Sequence, residues 1–190
     1  YVMPEGDLSD MLRIRNLGVV FEDMAYNPVD DKIYGIGYDA NGVSTLYTVD
    51  KLNGELTAVG IVGLDTNTLA CDANGTFYCN ELGTSKVYSF TLDVMDQPVY
   101  RMEVTDEYDA AYATMGTHAM EYNAETGKVV YLGHYAVEKF WGPVDYDYLF
   151  EIDPATSTYK RYNDMSHQLV ALILPNEGIS GNWADPTEEI

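Results

Sequence analysis

Two of the three histidines, His118 and His134, could act together if the chain brings them to the open end of one β-hairpin. Beside a carboxylate such as Asp109 or Glu121 they would form a His/His/carboxylate set, which is typical of transition-metal sites. A three-residue turn at 125–127 would place the two histidines opposite each other, whereas a four-residue turn would place them on opposite faces of the sheet. The sequence leaves this register, and therefore a metal at His118 and His134, open.

Two long segments, 105–118 and 134–148, are rich in aromatic and acidic residues and are predicted to be loops. Aromatic rings offer flat apolar faces and carboxylates accept hydrogen bonds from hydroxyl groups, which is the usual chemistry of a glycan or peptide cleft. Alternatively, the same aromatics form a local core that fixes the loops, and an exposed Trp141 would favour binding. The ligand-binding candidates are Tyr108, Asp109, Tyr112, His118, His134, Tyr135, Trp141, Asp145 and Asp147.

No sequence motif for catalysis is present: G-x-S-x-G, H-E-x-x-H, G-x-x-x-x-G-K-[ST] and a convincing G-x-G-x-x-G are all missing. An acid/base pair of carboxylates cannot be selected by spacing among 31 acidic residues. The aspartates do not form a regular D-x-[DN]-x-[DN]-G loop, so no cofactor is expected, although irregularly bound calcium stays open. A noncatalytic role is therefore favoured, although enzyme activity is not excluded.

Cys71 and Cys79 flank a turn around Gly75 and would face each other across a hairpin centred on that glycine. A cross-strand disulfide is one alternative, and two buried thiols are the default prediction.

The elements that position these residues repeat along the chain. The hairpin "MAYNPVDDKIYGIG" at 24–37 matches "MEYNAETGKVVYLG" at 120–133 with an offset of 96 residues, and a shorter relative lies at 69–81. Each hairpin is followed by a second pair of alternating strands, at 45–60, 86–104 and 148–162. A unit of four short strands over about 40 to 50 residues is typical of a propeller blade.

The sequence thus predicts an all-β, β-propeller-like fold with about three complete four-stranded antiparallel blades. Orphan strands at 11–18 and 168–175 would leave the ring incomplete, since propellers close with about four to eight blades. Either the chain belongs to a longer propeller or a homo-oligomer completes the ring. The predicted boundaries are 1–175 for the partial propeller, about 19–63, 64–106 and 107–167 for its blades, and 176–190 for a linker or tail toward a following module.

The blades resemble an irregular bacterial β-propeller family that includes quinoprotein-dehydrogenase-like and YVTN-type surface propellers. The resemblance rests on the hairpin Tyr26-Asn27-Pro28 through Ile33-Tyr34 and on Ile152-Asp153-Pro154-Ala155-Thr156. It implies a segment of a secreted multidomain protein, located outside the cell or at the cell surface. Such a motif specifies a fold and leaves the activity open.

Composition limits the partners. The net charge of -21 opposes binding to phosphate backbones, so nucleic acid is excluded. No apolar stretch approaches the roughly 20 residues that span a bilayer, so membrane insertion is not expected. With 46% apolar residues, the chain is predicted to fold rather than to form an acidic tail.

Together these features predict a noncatalytic extracellular binding or scaffold domain, with a glycan or protein ligand at the loops of the third blade. The alternatives are a carbohydrate-active lyase or hydrolase that uses His118, His134 and loop carboxylates, and a structural spacer with no ligand. A spacer would bury the aromatics of 135–148 against their own blade, whereas a binding domain would expose several of them.

Overall fold

A computed structural model describes residues 19–104 and 113–165 of the chain. These residues form three four-stranded antiparallel sheets, each built from strands that are consecutive in sequence, which confirms the predicted all-β, propeller-like class. The predicted orphan strands and the tail at 176–190 lie outside the described residues. Within the described ranges, no helix is long and apolar enough to cross a membrane.

The three sheets are named blades 1, 2 and 3 in chain order. Blade 1 contains β1 (Phe21–Asn27), β2 (Lys32–Tyr38), β3 (Ser44–Val49) and β4 (Leu56–Ile61). Blade 2 contains β5 (Ala70–Cys71), β6 (Phe77–Asn80), β7 (Lys86–Phe90) and β8 (Val99–Glu103). Blade 3 contains β9 (Ala113–Asn123), β10 (Lys128–Lys139), β11 (Gly142–Asp153) and β12 (Thr158–Met165).

The first hairpin of every blade turns by the same chemistry. Asn27, Asp72 and Asn123 each end or follow the first strand, and each side-chain oxygen accepts hydrogen bonds from backbone N–H groups two to four residues ahead, at 2.9 to 3.2 Å. The turns finish at a residue with positive φ: Asp31, Gly75 or Gly127. In each turn the Asn or Asp side chain accepts hydrogen bonds from backbone N–H groups, and a residue in the left-handed conformation follows. This combination favours a reversal of the chain.

Two apolar clusters join neighbouring blades. Between blades 1 and 2, the ring of Phe77 lies 5.0 Å from that of Tyr34 and 5.3 Å from that of Phe90, measured between centroids. Between blades 2 and 3, Val87 and Tyr131 belong to a second cluster of buried side chains. Each blade therefore contributes alternate residues of its strands to the core that it shares with its neighbour.

The pairing between the third and fourth strand of every blade is irregular. The register shifts once in each case: between Leu46 and Tyr47 in blade 1, between Val87 and Tyr88 in blade 2, and between Tyr148 and Phe150 in blade 3. An extra residue on one strand increases the local twist of the sheet. All three blades thus share a register shift between their third and fourth strands as well as the same strand order.

The inner strands converge. β1, β5 and β9, the first strands of the three blades, each contact the other two. Since each is the end strand of its own sheet, its outer row of backbone groups faces this junction rather than another strand of the sheet. The junction of β1, β5 and β9 is called the axis below.

The packing between blades 1 and 2 can be tested at two glycines, one in β4 and one just after it. A Cβ at Gly63 would lie 1.9 Å from the backbone oxygen of Asp96, whereas a Cβ at Gly60 would lie 2.5 Å from the terminal methyl of Met95. We expect Gly63→Ala to lower the free energy of unfolding by about 3 kcal/mol, because a backbone must move, and Gly60→Ala by about 1 kcal/mol or less, because a methionine side chain adapts. Urea denaturation of both variants measures the difference, and equal stabilities would contradict it.

Candidate functional site

The most prominent feature of blade 3 is a two-stranded ribbon that extends beyond the rest of its sheet. β10 and β11 remain paired up to Lys139 and Gly142, so that Phe140 and Trp141 alone form the turn. The partners in β9 end opposite Val137, and those in β12 end opposite Asp147. Among the described residues, the end of the ribbon therefore extends past the last paired residue of both neighbouring strands.

The prediction of a long loop at 134–148 is wrong, since this segment consists of paired strands around a two-residue turn. Its alternation of aromatic and β-branched residues with charged ones suits a pleated ribbon. Gly142 takes φ +115°, which favours glycine, and so permits the tight turn. Pro143 is paired with Glu138 beyond the reach of the flanking strands, where a missing N–H does not interrupt a wider sheet.

The aromatic side chains of the ribbon divide into two groups. Phe140 has 103% and Trp141 79% of its reference surface exposed, so neither belongs to a local core. Tyr148, at the base, is 7% exposed; its ring centroid lies 6.3 Å from that of Phe150 and 4.9 Å from the guanidinium carbon of Arg161. The base of the ribbon is anchored in blade 3 while its tip presents two bare rings.

The other predicted site residues are placed by the backbone register. The turn between β9 and β10 holds four residues, 124–127, rather than three. His134 pairs with Gly116 on β9, and His118 falls at the register shift between Ala119 and Thr117, so the two histidines are not partners across the hairpin. Asp147 on β11 pairs with His134 on β10, and the side chain of Asp147 is buried. Tyr135 pairs with Tyr146 and Asp145 with Ala136, while Tyr108, Asp109 and Tyr112 lie outside the described residues.

Cys71 and Cys79 are both buried free thiols, as the default prediction had it. Cys71 pairs with Phe77, which moves the centre of the hairpin away from Gly75 and prevents the two cysteines from facing each other. Burial raises the pKa of each thiol to about 12, and the neighbouring carboxylate of Asp72 contributes at Cys71. Neither sulfur is available as a thiolate nucleophile near neutral pH.

A carboxylate that sequence reasoning did not single out lies at the axis. Asp23 on β1 accepts hydrogen bonds from the backbone N–H of Met24 at 2.9 Å, of Leu69 at 2.9 Å and of Met120 at 3.2 Å. Met24, Leu69 and Met120 occupy the same place in the repeat, one per blade. One side chain thus binds equivalent backbone groups of all three blades.

A second carboxyl, Glu121, lies beside it on β9. Its cross-strand partner is Val130, and the corresponding pairs in the other blades are Ala25 with Tyr34 and Ala70 with Tyr78. The repeat therefore has buried alanine at this position in blades 1 and 2 and a half-buried glutamate in blade 3. This break in the repeat is visible in the sequence, but it points to Glu121 only once the strands are placed side by side.

The environment of the axis raises the pKa of both carboxyls. Burial raises the pKa of Asp23 from 3.8 to about 6, even though the three backbone N–H groups act in the opposite direction. Burial also raises the pKa of Glu121 from 4.5 to about 7, and the charge of Asp23 adds to the shift. Desolvation outweighs hydrogen bonding at both groups.

The described residues offer little else for chemistry. They contain no group of three or more histidine, cysteine or acidic side chains placed to hold a metal ion. A groove of about 200 Å³ lies in blade 1, away from both the ribbon and the axis. It is lined by Lys32, Thr48, Val49, Asp50, Glu55 and Thr57.

No family model and no curated protein matches the chain. Among solved structures, TolB from Acinetobacter baumannii resembles it at 15% sequence identity with a TM-score of 0.41. The match covers 73% of this chain and 31% of the TolB chain, so this chain spans about a third of that structure's length. A likeness of this degree carries no argument about function.

The thiols give a direct test of the packing between blades 1 and 2. With a pKa of about 12, each cysteine carries a thiolate fraction of about one in 10,000 at pH 8. We expect both thiols to resist Ellman's reagent in the folded chain and both to react in concentrated urea. Rapid reaction of either cysteine with Ellman's reagent in the folded protein would contradict the buried positions.

Proposed function

We propose that the chain is a noncatalytic binding module that recognises a protein partner through the tip of the β10–β11 ribbon. One observation carries the proposal: Phe140 and Trp141 stand side by side at the tip with almost their whole surfaces in solvent. A spacer would be expected to bury these rings against blade 3.

The tip offers substantial binding free energy. An aromatic side chain buries about 150 to 250 Å² when it is covered, and each 100 Å² of apolar area contributes about 2.5 kcal/mol. Tryptophan is also among the residues that most often dominate protein interfaces. Covering both rings therefore contributes favourable free energy, part of which offsets the freedom lost on association.

The ribbon orders the backbone of the tip before binding. The turn contains two residues only, and the strands on either side of it are paired from Lys139 and Gly142 down to the base. Less conformational entropy is lost on binding when the contacting groups are already ordered. A projecting tip with a paired backbone is suited to inserting into a pocket on another molecule.

Shape favours a protein over a glycan as the partner. Glycan and small-molecule sites are concave and bring several polar groups toward the ligand, whereas this tip is convex and its two turn residues are apolar. Long projecting loops of binding proteins likewise enter concave surfaces. The net charge of -21 further favours a partner whose pocket has a basic rim, with association that weakens as salt is added.

The buried thiols and the hydrogen-bonded Asp23 support a role without catalysis. The thiols of Cys71 and Cys79 are buried, and the carboxylate of Asp23 is occupied by backbone N–H groups at the axis. No hydrogen bond or ion pair links these groups to the tip of the ribbon among the described residues. The proposal therefore assigns no reaction to the chain.

A double variant tests the tip. We expect Phe140→Ala with Trp141→Ala to weaken binding to the partner at least tenfold, about 1.4 kcal/mol, because both anchoring rings are removed. Since the rings are exposed, the free energy of unfolding should change by less than about 0.5 kcal/mol. The partner is first identified by comparing what the wild-type and variant chains capture, and its dissociation constant is then measured with purified components.

Leu52→Ala provides the matched control, because Leu52 is an exposed apolar turn residue in blade 1, 88% accessible. It should leave binding unchanged. The same three chains are also applied to a glycan array. Protein capture that ignores the tip substitutions would overturn the proposal, and tip-dependent glycan binding would replace the protein partner with a carbohydrate.

A further inference from the structure

One sheet face of blade 1 is turned away from blade 2. Tyr34 and Ile36 of β2 belong to the apolar cluster that blade 1 shares with blade 2. Because side chains alternate along a strand, the glycines next to them in β2 point to the opposite side, and cross-strand pairing extends that side over β3 to β4. The outward face of blade 1 is defined by Gly35, Gly37, Thr45, Tyr47 and Ile61.

The chain just before β1 already lies on the outward face. A Cβ at Gly37 would lie 2.7 Å from the backbone oxygen of Val20 and 3.0 Å from a side-chain carbon of Val19. A glycine within a strand often marks a place where another backbone approaches closely. The backbone at 19–20 therefore rises from the edge of the sheet onto β2.

The outward face also lacks the side chain that the other blades place at its centre. Gly35 corresponds to Cys79 in blade 2 and to Tyr131 in blade 3, and both are buried in the cluster that their blade shares with the preceding one. A Cβ at Gly35 would lie 2.7 Å from the ring of Phe21, which in turn lies edge-on to the ring of Tyr47, with centroids 5.9 Å apart. In blade 1, the chain's own preceding residues thus cover part of the surface that a neighbouring blade covers elsewhere.

The far side of the outward face still offers apolar surface, since Ile61 on β4 is 54% exposed. Val19 and Phe21 are half-buried and alternate with an exposed Val20, so the same alternation places Leu17 next on the side of the sheet. Two extended residues advance the chain by about 7 Å, and neighbouring strands are about 4.8 Å apart. Leu17 can therefore pass β3 and reach Ile61.

The short connection to β1 favours this course for the residues at 11–18. Residues 62–69 join the outermost strand of blade 1 to the first strand of blade 2, whereas residues 19 and 20 alone separate 11–18 from β1. Three extended steps cover about 10 Å, which is less than the roughly 14 Å between the first and fourth strands of a blade. The segment 11–18 is thus better placed to lie on blade 1 than to form the outer strand of a blade before it.

Charge favours the same placement. The segment 11–18 contains Arg13 and Arg15 and no acidic residue, in a chain with 31 acidic and 10 basic residues. Burial raises the pKa of Tyr38, the residue after Gly37, to about 12, and the nearby carboxylates of Asp65 and Glu22 add to the shift. Two guanidinium groups that cross this end of blade 1 would therefore meet carboxylates.

We propose that residues 11–18 form a strap that binds the outward face of blade 1, with Leu17 against Ile61. The strap takes the surface onto which a second copy of the chain, or a preceding blade, would otherwise pack. Blade 1 is then the end of the arc of blades, covered by its own chain.

Methyl NMR of the full 190-residue chain tests the strap. We expect nuclear Overhauser contacts between the methyl groups of Leu17 and Ile61 in the carbon-13-labelled chain. Labelled and unlabelled chains are then mixed, and isotope filtering selects contacts between different chains. Contacts within one chain support the strap. Contacts between chains only would replace the strap with a second copy and overturn the proposal, as would the absence of any contact between these methyl groups.

Matched variants measure how far the strap covers Ile61. Leu17→Asp should release the strap and raise the relaxation of the Ile61 methyl groups by a soluble nitroxide about twofold or more, because a covered side chain becomes accessible. Val20→Asp adds the same charge at an exposed position beside the strap and should leave this relaxation unchanged. The exposed methyl groups of Leu52 provide the reference in both variants. Equal relaxation of Ile61 in the two variants would contradict the strap, and neither outcome depends on the partner proposed for the ribbon.

Discussion

Three inner strands share one hydrogen-bond acceptor, the carboxylate of Asp23. An end strand exposes a row of backbone N–H groups, and a buried N–H without a partner costs about 1 to 3 kcal/mol. At the axis this need arises for the partly buried N–H groups of Leu69 and Met120, at equivalent positions of blades 2 and 3, and a single short side chain meets both. One aspartate thus links the inner ends of all three blades, and the two apolar clusters pack between neighbouring blades.

Much of the fold could be predicted because the sequence signals that form its turns are local. Asn27, Asp72 and Asn123 each start a turn with their own side chain, and each turn is completed a few residues later, so an alignment of the chain with itself detects the blades. The prediction of a loop at 134–148 was wrong because the information that defines the ribbon is not local. Gly142 and Pro143 usually mark a loop, and only the pairing of twelve-residue strands on either side shows that they complete a tight turn.

The axis could not be derived from the repeat, because its residues are those in which the repeat fails. Asp23 corresponds to Thr68 and Ala119 in the other blades, and Glu121 to two alanines. In one sequence such departures are indistinguishable from neutral drift until the strands are placed side by side. The exposed pair at the ribbon tip shows a similar limit: the sequence named Trp141, but its accessibility depended on whether 134–148 folds back or projects.

The repeated register shift beside each outermost strand has a consequence for the behaviour of many copies together. A regular outer strand would present a flat row of hydrogen-bonding groups to other molecules and invite sheet-to-sheet polymerisation, whereas a bulge twists that row out of line. All three blades carry the distortion beside β4, β8 or β12. Combined with a strongly negative surface, it gives the chain protection against aggregation at high local concentration, built into the same repeat that forms the fold.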